Sequence, residues 1–167
     1  MRNTWIRRIS AIRKDGVESA INLTCGLNCI IGASNTGKTR IAKTVEFACG
    51  GKELPFTDKT AYEIAQVTFV TNGGEVSLSR SIHVQNTIHV KSSNPMIVPG
   101  SYSVSSRAGK SINTVLLALL GVESTRRIAT NETYHTVAFT WNAIRHLMIV
   151  PEDQIGRARP SILFPKR

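Results

Sequence analysis

Eight consecutive residues, Gly32-Ala33-Ser34-Asn35-Thr36-Gly37-Lys38-Thr39, are the ones whose types and spacing point most directly to chemistry. They fit G-x-x-x-x-G-K-[ST], the phosphate-binding P-loop. Glycines at both ends of the spacer let the backbone curl until consecutive N–H groups point at one anion. The lysine reaches β- and γ-phosphates as a point charge, and the hydroxyl after it ligates Mg²⁺. The pattern predicts a site for Mg²⁺ and ATP held by Gly32, Ala33, Ser34, Asn35, Thr36, Gly37, Lys38, Thr39 and Arg40, with Thr39 on the metal. The competing reading is a glycine-rich turn in front of an ordinary helix.

A loop of this kind needs a strand behind it and a helix ahead, whose positive dipole end faces the anion. Upstream, Leu27-Asn28-Cys29-Ile30-Ile31 is a short apolar run and predicts a buried strand. Downstream, Ile41, Val45 and Ala48 recur at helical spacing, and Gly50-Gly51 marks the stop. Ahead of all this, Trp5 to Ile12 and Val17 to Leu23 read as two strands around the turn Arg13-Lys14-Asp15-Gly16. Ile64 to Thr71 and Glu75 to Ile82 read as a second hairpin around Asn72-Gly73-Gly74. Arg80 falls in phase with Val76, Leu78 and Ile82, which places it at a sheet edge or facing an anionic group.

The remainder is less regular. A short strand is expected over Thr87 to Val90, then a mobile surface loop over 92–108, rich in serine and proline. Gly109-Lys110-Ser111 imitates the end of a phosphate loop, but Val104 stands where its first glycine belongs. Ser111 reads instead as the N-cap of a helix from Ile112 to Leu120, ended by Gly121. Arg126-Arg127 lies in a polar linker. Trp141 to Leu147 reads as a short helix leading into an apolar strand, Leu147 to Val150, and 157–167 is a basic tail.

With 167 residues, one domain over 1–167 is expected. The net charge of +10 favours polyanionic partners, nucleic acid first; solubility or a complementary acidic subunit is the alternative. No apolar run approaches the ~20 residues that span a bilayer. The N-terminus lacks a signal-peptide core. Both point to a chain with no membrane partner. Cys25, Cys29 and Cys49 are odd in number and form no zinc pattern, so they read as buried free thiols, which implies a reducing compartment and a cytoplasmic protein. His83, His89, His135 and His146 show no ligand spacing and read as structural.

Taken together, the chain resembles the N-terminal lobe of an ABC-type ATPase head of the SMC/RecN-like class. The matching stretches are Gly26-Leu27-Asn28-Cys29-Ile30-Ile31-Gly32 running into Asn35-Thr36-Gly37-Lys38-Thr39, the helix reaching Gly50-Gly51, and Gly74-Glu75-Val76-Ser77-Leu78-Ser79-Arg80. The resemblance implies an α/β P-loop NTPase fold with a mixed sheet, an antiparallel β-subdomain and a P-loop helix. It also implies a Q-loop after the Leu147–Val150 strand. That role falls to Gln154, as a second metal-facing group, or to Glu152 if the turn is shorter. The same residues could form a Walker B substitute or a plain solvated turn. The signature motif and the Walker B strand of the family are not in the sequence, and 157–167 falls where the family's coiled coil begins. The resemblance therefore implies an ATP-binding half-head. It would act on DNA and hydrolyse ATP only when completed by a C-terminal head lobe and a second ATPase head.

Two other functions fit the same residues. In a self-contained P-loop kinase, Arg126, Arg127, Arg157 and Arg159 would be phosphate-clamping lid arginines. In a basic nucleic-acid-binding module, the P-loop would be vestigial.

Overall fold

The hairpin expected at the start of the chain forms as β1 (Trp5–Arg13) and β2 (Glu18–Asn22), paired antiparallel with Ile9 opposite Ile21. The computed structural model describes residues 4–57, 60–105, 108–123, 125, 127–129 and 136–149. The turn between the strands closes through Arg13 N donating to Val17 O (2.9 Å), and Asp15 Oδ1 accepts from Val17 N (3.2 Å). The chain divides into two compact units, Met1–Glu123 and Ser124–Arg167.

In the first unit, α1 (Lys38–Ala48) follows β2, and the chain returns as β3 (Tyr62–Thr71) on the other side of β1. β4 (Gly74–Ser81), β5 (Thr87–Ser92) and β6 (Gly100–Ser103) then add one after another. The sheet order is β2-β1-β3-β4-β5-β6, and each pairing is antiparallel. β1 runs against both neighbours, so β2 and β3 are parallel to each other and α1 is the crossover between them.

Strand alternation selects the face that α1 covers. Ile9 and Val67 pack with Ala48, and Ile41 and Val45 close over them. Ala65 and Ile82 pack with Phe47 and Phe56. The helix ends where Gly50 takes a left-handed φ of 96°, which a side chain would strain. Gly50 N then donates to Phe47 O (3.0 Å) and Gly51 N to Glu46 O (2.8 Å), the paired bonds of a Schellman turn. α2 (Ile112–Leu119) buries Val115, Leu116, Leu117 and Leu119. Ser111 caps it, accepting from Asn113 N at 3.2 Å, as the sequence suggested.

Several local expectations change. The loop reading of 92–108 gives way to β6 within it: Tyr102 is buried, and its hydroxyl donates to Val98 O (2.6 Å). The 27–31 run is not a buried strand; it carries no sheet pairing, and Leu27 and Ile31 are each 93 % exposed. β1 has its two edges taken by β2 and β3, and the run joins none of the strands of the sheet. Cys25 and Cys29 lie on the same stretch and are exposed, against the expectation of buried thiols. Cys49 is buried, and burial pushes its thiol up to about 12. Ellman's reagent should therefore titrate two thiols quickly in the native protein and the third only on unfolding. Three fast thiols would mean that the α1 C-terminus opens readily.

In the second unit the expected linker contains β7 (Arg127–Ala129) paired with β8 (Thr136–Ala138). α3 (Trp141–Met148) takes up Leu147 and Met148, which the sequence assigned to a strand. Trp141, Ile144 and Met148 continue one helical spacing through those positions, so the helical period prevails. The basic tail 157–167 lies outside the described residues.

Candidate nucleotide site

The chain leaves β2 through a turn closed by one side chain. Asn28 Oδ1 accepts from Thr24 N (3.0 Å), while Asn28 Nδ2 donates to Thr24 O (2.8 Å) and Gly26 O (3.0 Å). An amide offering a donor and an acceptor on one edge imitates a strand partner. Sequence reading gave Asn28 no role of its own. The signal was an asparagine two residues after a turn glycine.

From Ser34 to Gly37 the backbone alternates in hand. Asn35 (φ 61°) and Gly37 (φ 90°) are both left-handed, and asparagine is the side-chain-bearing residue that tolerates this best. Alternation of this kind turns successive N–H groups toward a common concavity, the geometry of an anion nest. Thr36 Oγ1 braces the loop by donating to Ala33 O (2.8 Å). A Cβ at Gly32 would stand 3.0 Å from Thr36 Oγ1, so a side chain there would crowd the brace. The Lys38 ammonium folds back over the loop, donating to Gly32 O (2.7 Å) and Ala33 O (2.5 Å).

At the loop's exit, α1 begins at the N-cap Gly37 with no side-chain cap and no acidic residue in its first turn. Its positive dipole end is therefore left to whatever anion sits in front of it. Thr39 and Arg40 are both exposed on this first turn. Beside them opens a pocket of about 340 Å³, lined by Gly37, Arg40 and Ile41 on one side and by Ile9, Ile21 and Tyr62 on the other. Tyr62 is oriented by a 2.8 Å hydrogen bond between its hydroxyl and Ser19 Oγ. Cationic loop, uncapped helix and half-apolar pocket together offer room for an anion joined to a flat or apolar group. The chain matches no family model and no curated protein.

The remaining sequence candidates fall elsewhere. Glu152 and Gln154 lie outside the described residues, as do Arg126, Arg157 and Arg159. Arg127 is engaged within its hairpin, donating to Thr136 Oγ1 (2.9 Å) and Thr136 O (2.7 Å). Lys110, of the imitation loop, stacks its ammonium 4.8 Å from the Tyr102 ring centroid. His89 Nδ1 shares a 3.0 Å hydrogen bond with Ser101 Oγ.

Proposed function

We propose that this chain binds Mg-ATP through the Gly32–Thr39 loop, as the N-terminal lobe of an SMC-like ATPase head acting on DNA. The observation that carries the reading is the left-handed pair Asn35 and Gly37 leading into an uncapped helix whose first turn presents Lys38 and Thr39. Lys38 exchanges its loop carbonyls for β- and γ-phosphate oxygens, and Thr39 supplies a hydroxyl to Mg²⁺. The nucleoside lies toward the pocket between Arg40 and Tyr62.

The lobe is one part of a catalytic unit. Its support for that reading is the exposed apolar run at Leu27 and Ile31, which makes no strand pairing among the described residues and is available for a C-terminal head lobe to cover. Hydrolysis belongs to the assembly with that lobe and a second head, where the water-orienting acid is supplied. The net charge of +10 supports a DNA partner.

Titration of the chain with a fluorescent ATP analogue, with and without Mg²⁺, tests the site. The parent should bind, and Thr39→Ala should lose about tenfold more affinity for Mg-ATP than for metal-free ATP. Equal losses would remove the metal-ligand role, and a parent that binds neither form would end the nucleotide reading. Steep salt-dependent DNA binding that ATP leaves unchanged would favour the basic module instead.

A further inference from the structure

Arg80 is a charged residue in the middle of an apolar face. β4 lies between β3 and β5, so Arg80 is not at a sheet edge, and it is only 3 % exposed. Among the described residues no carboxylate pairs with it. Its guanidinium donates instead to three main-chain carbonyls: Nη1 to Phe47 O (2.6 Å) and Gly51 O (2.7 Å), and Nε to Gln85 O (2.8 Å). The same group lies 4.0 Å from the centroid of the Phe47 ring.

A buried charge without a counter-ion is costly, and an apolar residue of similar volume would fill the space more cheaply. What the guanidinium gains is its position. Phe47 O, which also accepts from Gly50 N, and Gly51 O belong to the closing turn of α1, where the helix dipole is negative. A planar fork of donors can reach both carbonyls of that turn and the β4–β5 turn together, which an ammonium cannot do in fixed geometry. Burial lowers the guanidinium to about 10, so the charge is retained at neutral pH.

α1 is 11 residues long, about 16 Å at the α-helical rise, with the phosphate loop at its other end. A helix of that length moves as a rigid rod, so its anchorage at one end governs placement at the other. We propose that Arg80 is a positioning residue for the phosphate loop: it clamps the C-terminal turn of α1 to the sheet and thereby fixes where Gly37, Lys38 and Thr39 present their amides. The functional consequence rests on the nucleotide reading above; the mechanical one does not.

The test compares Arg80→Met and Arg80→Lys with Val90→Ala, a truncation of a buried β5 residue away from the clamp. Amide hydrogen exchange at Arg40, Ile41 and Ala42, the first amides of α1 with main-chain acceptors, is read alongside unfolding free energy and ATP-analogue affinity per folded molecule. Arg80→Met should speed exchange at those three amides and weaken nucleotide binding, each by about tenfold beyond Val90→Ala at a matched loss of stability. Arg80→Lys, which keeps charge and stem, should fall between the two and supplies the result if the methionine variant does not fold. Exchange and affinity that merely track stability, as in Val90→Ala, would overturn the proposal. Faster exchange in a chain that binds no nucleotide at all would support the clamp and sink the nucleotide reading alone.

Discussion

On the proposed nucleotide reading, Lys38→Ala should lower the affinity for Mg-ATP on the order of 100-fold, because it would remove the cation that meets the β- and γ-phosphate charge. The same substitution leaves the fold nearly untouched. The Lys38 ammonium bonds only to Gly32 O, Ala33 O and, at 3.4 Å, Thr36 Oγ1, all on an exposed loop. Exposed polar contacts of this kind alter stability within about 0.5 kcal/mol. Calorimetric titration of parent and variant, with thermal unfolding run alongside, measures both quantities. A variant that binds like the parent would withdraw the loop from any phosphate role. One that fails to fold would show that the lysine holds the loop together.

Phe47→Ala has the largest expected effect on stability, a loss of about 3–5 kcal/mol from the first unit. Phe47 is fully buried and packs with Phe56, Ala65 and Ile82. Its ring also carries the Arg80 guanidinium, so truncation opens a cavity and strips one face of a buried cation. Urea unfolding followed by far-ultraviolet ellipticity measures the change, and the melting midpoint should fall by about 10 °C. A loss below about 1 kcal/mol would place the ring outside the core.

The elements that could be read in advance are those whose signals are local. Asp15-Gly16 and Asn72-Gly73 announce their turns, and alternation over Val76, Leu78 and Ile82 selects a face that the structure buries. Gly50 and Gly121 end their helices through the same pair of backbone bonds. Long-range choices were not legible. Whether Leu27–Ile31 forms a buried strand depends on pairing with a neighbour, which no local pattern reports. β6 is four residues long and β7 and β8 three each, too short to show alternation against a background of serine and threonine. Arg80 was noticed because it broke the apolar phase of β4. Its partners could not be anticipated, since main-chain carbonyls of a distant helix leave no trace in the side-chain sequence.

The run from Leu27 to Ile31 enters the phosphate loop directly at Gly32, with no hinge residue between them. A neighbouring strand that pairs along this run orders the chain feeding the loop, and an anion seated in the loop orders the chain leaving that strand. The two events are thermodynamically linked: whatever factor one adds to the affinity of the other is returned unchanged in the opposite direction. On the proposed reading, nucleotide concentration would be a handle on assembly, and a partner strand would be a handle on apparent nucleotide affinity. A Kd would then have meaning only at a stated concentration of that partner.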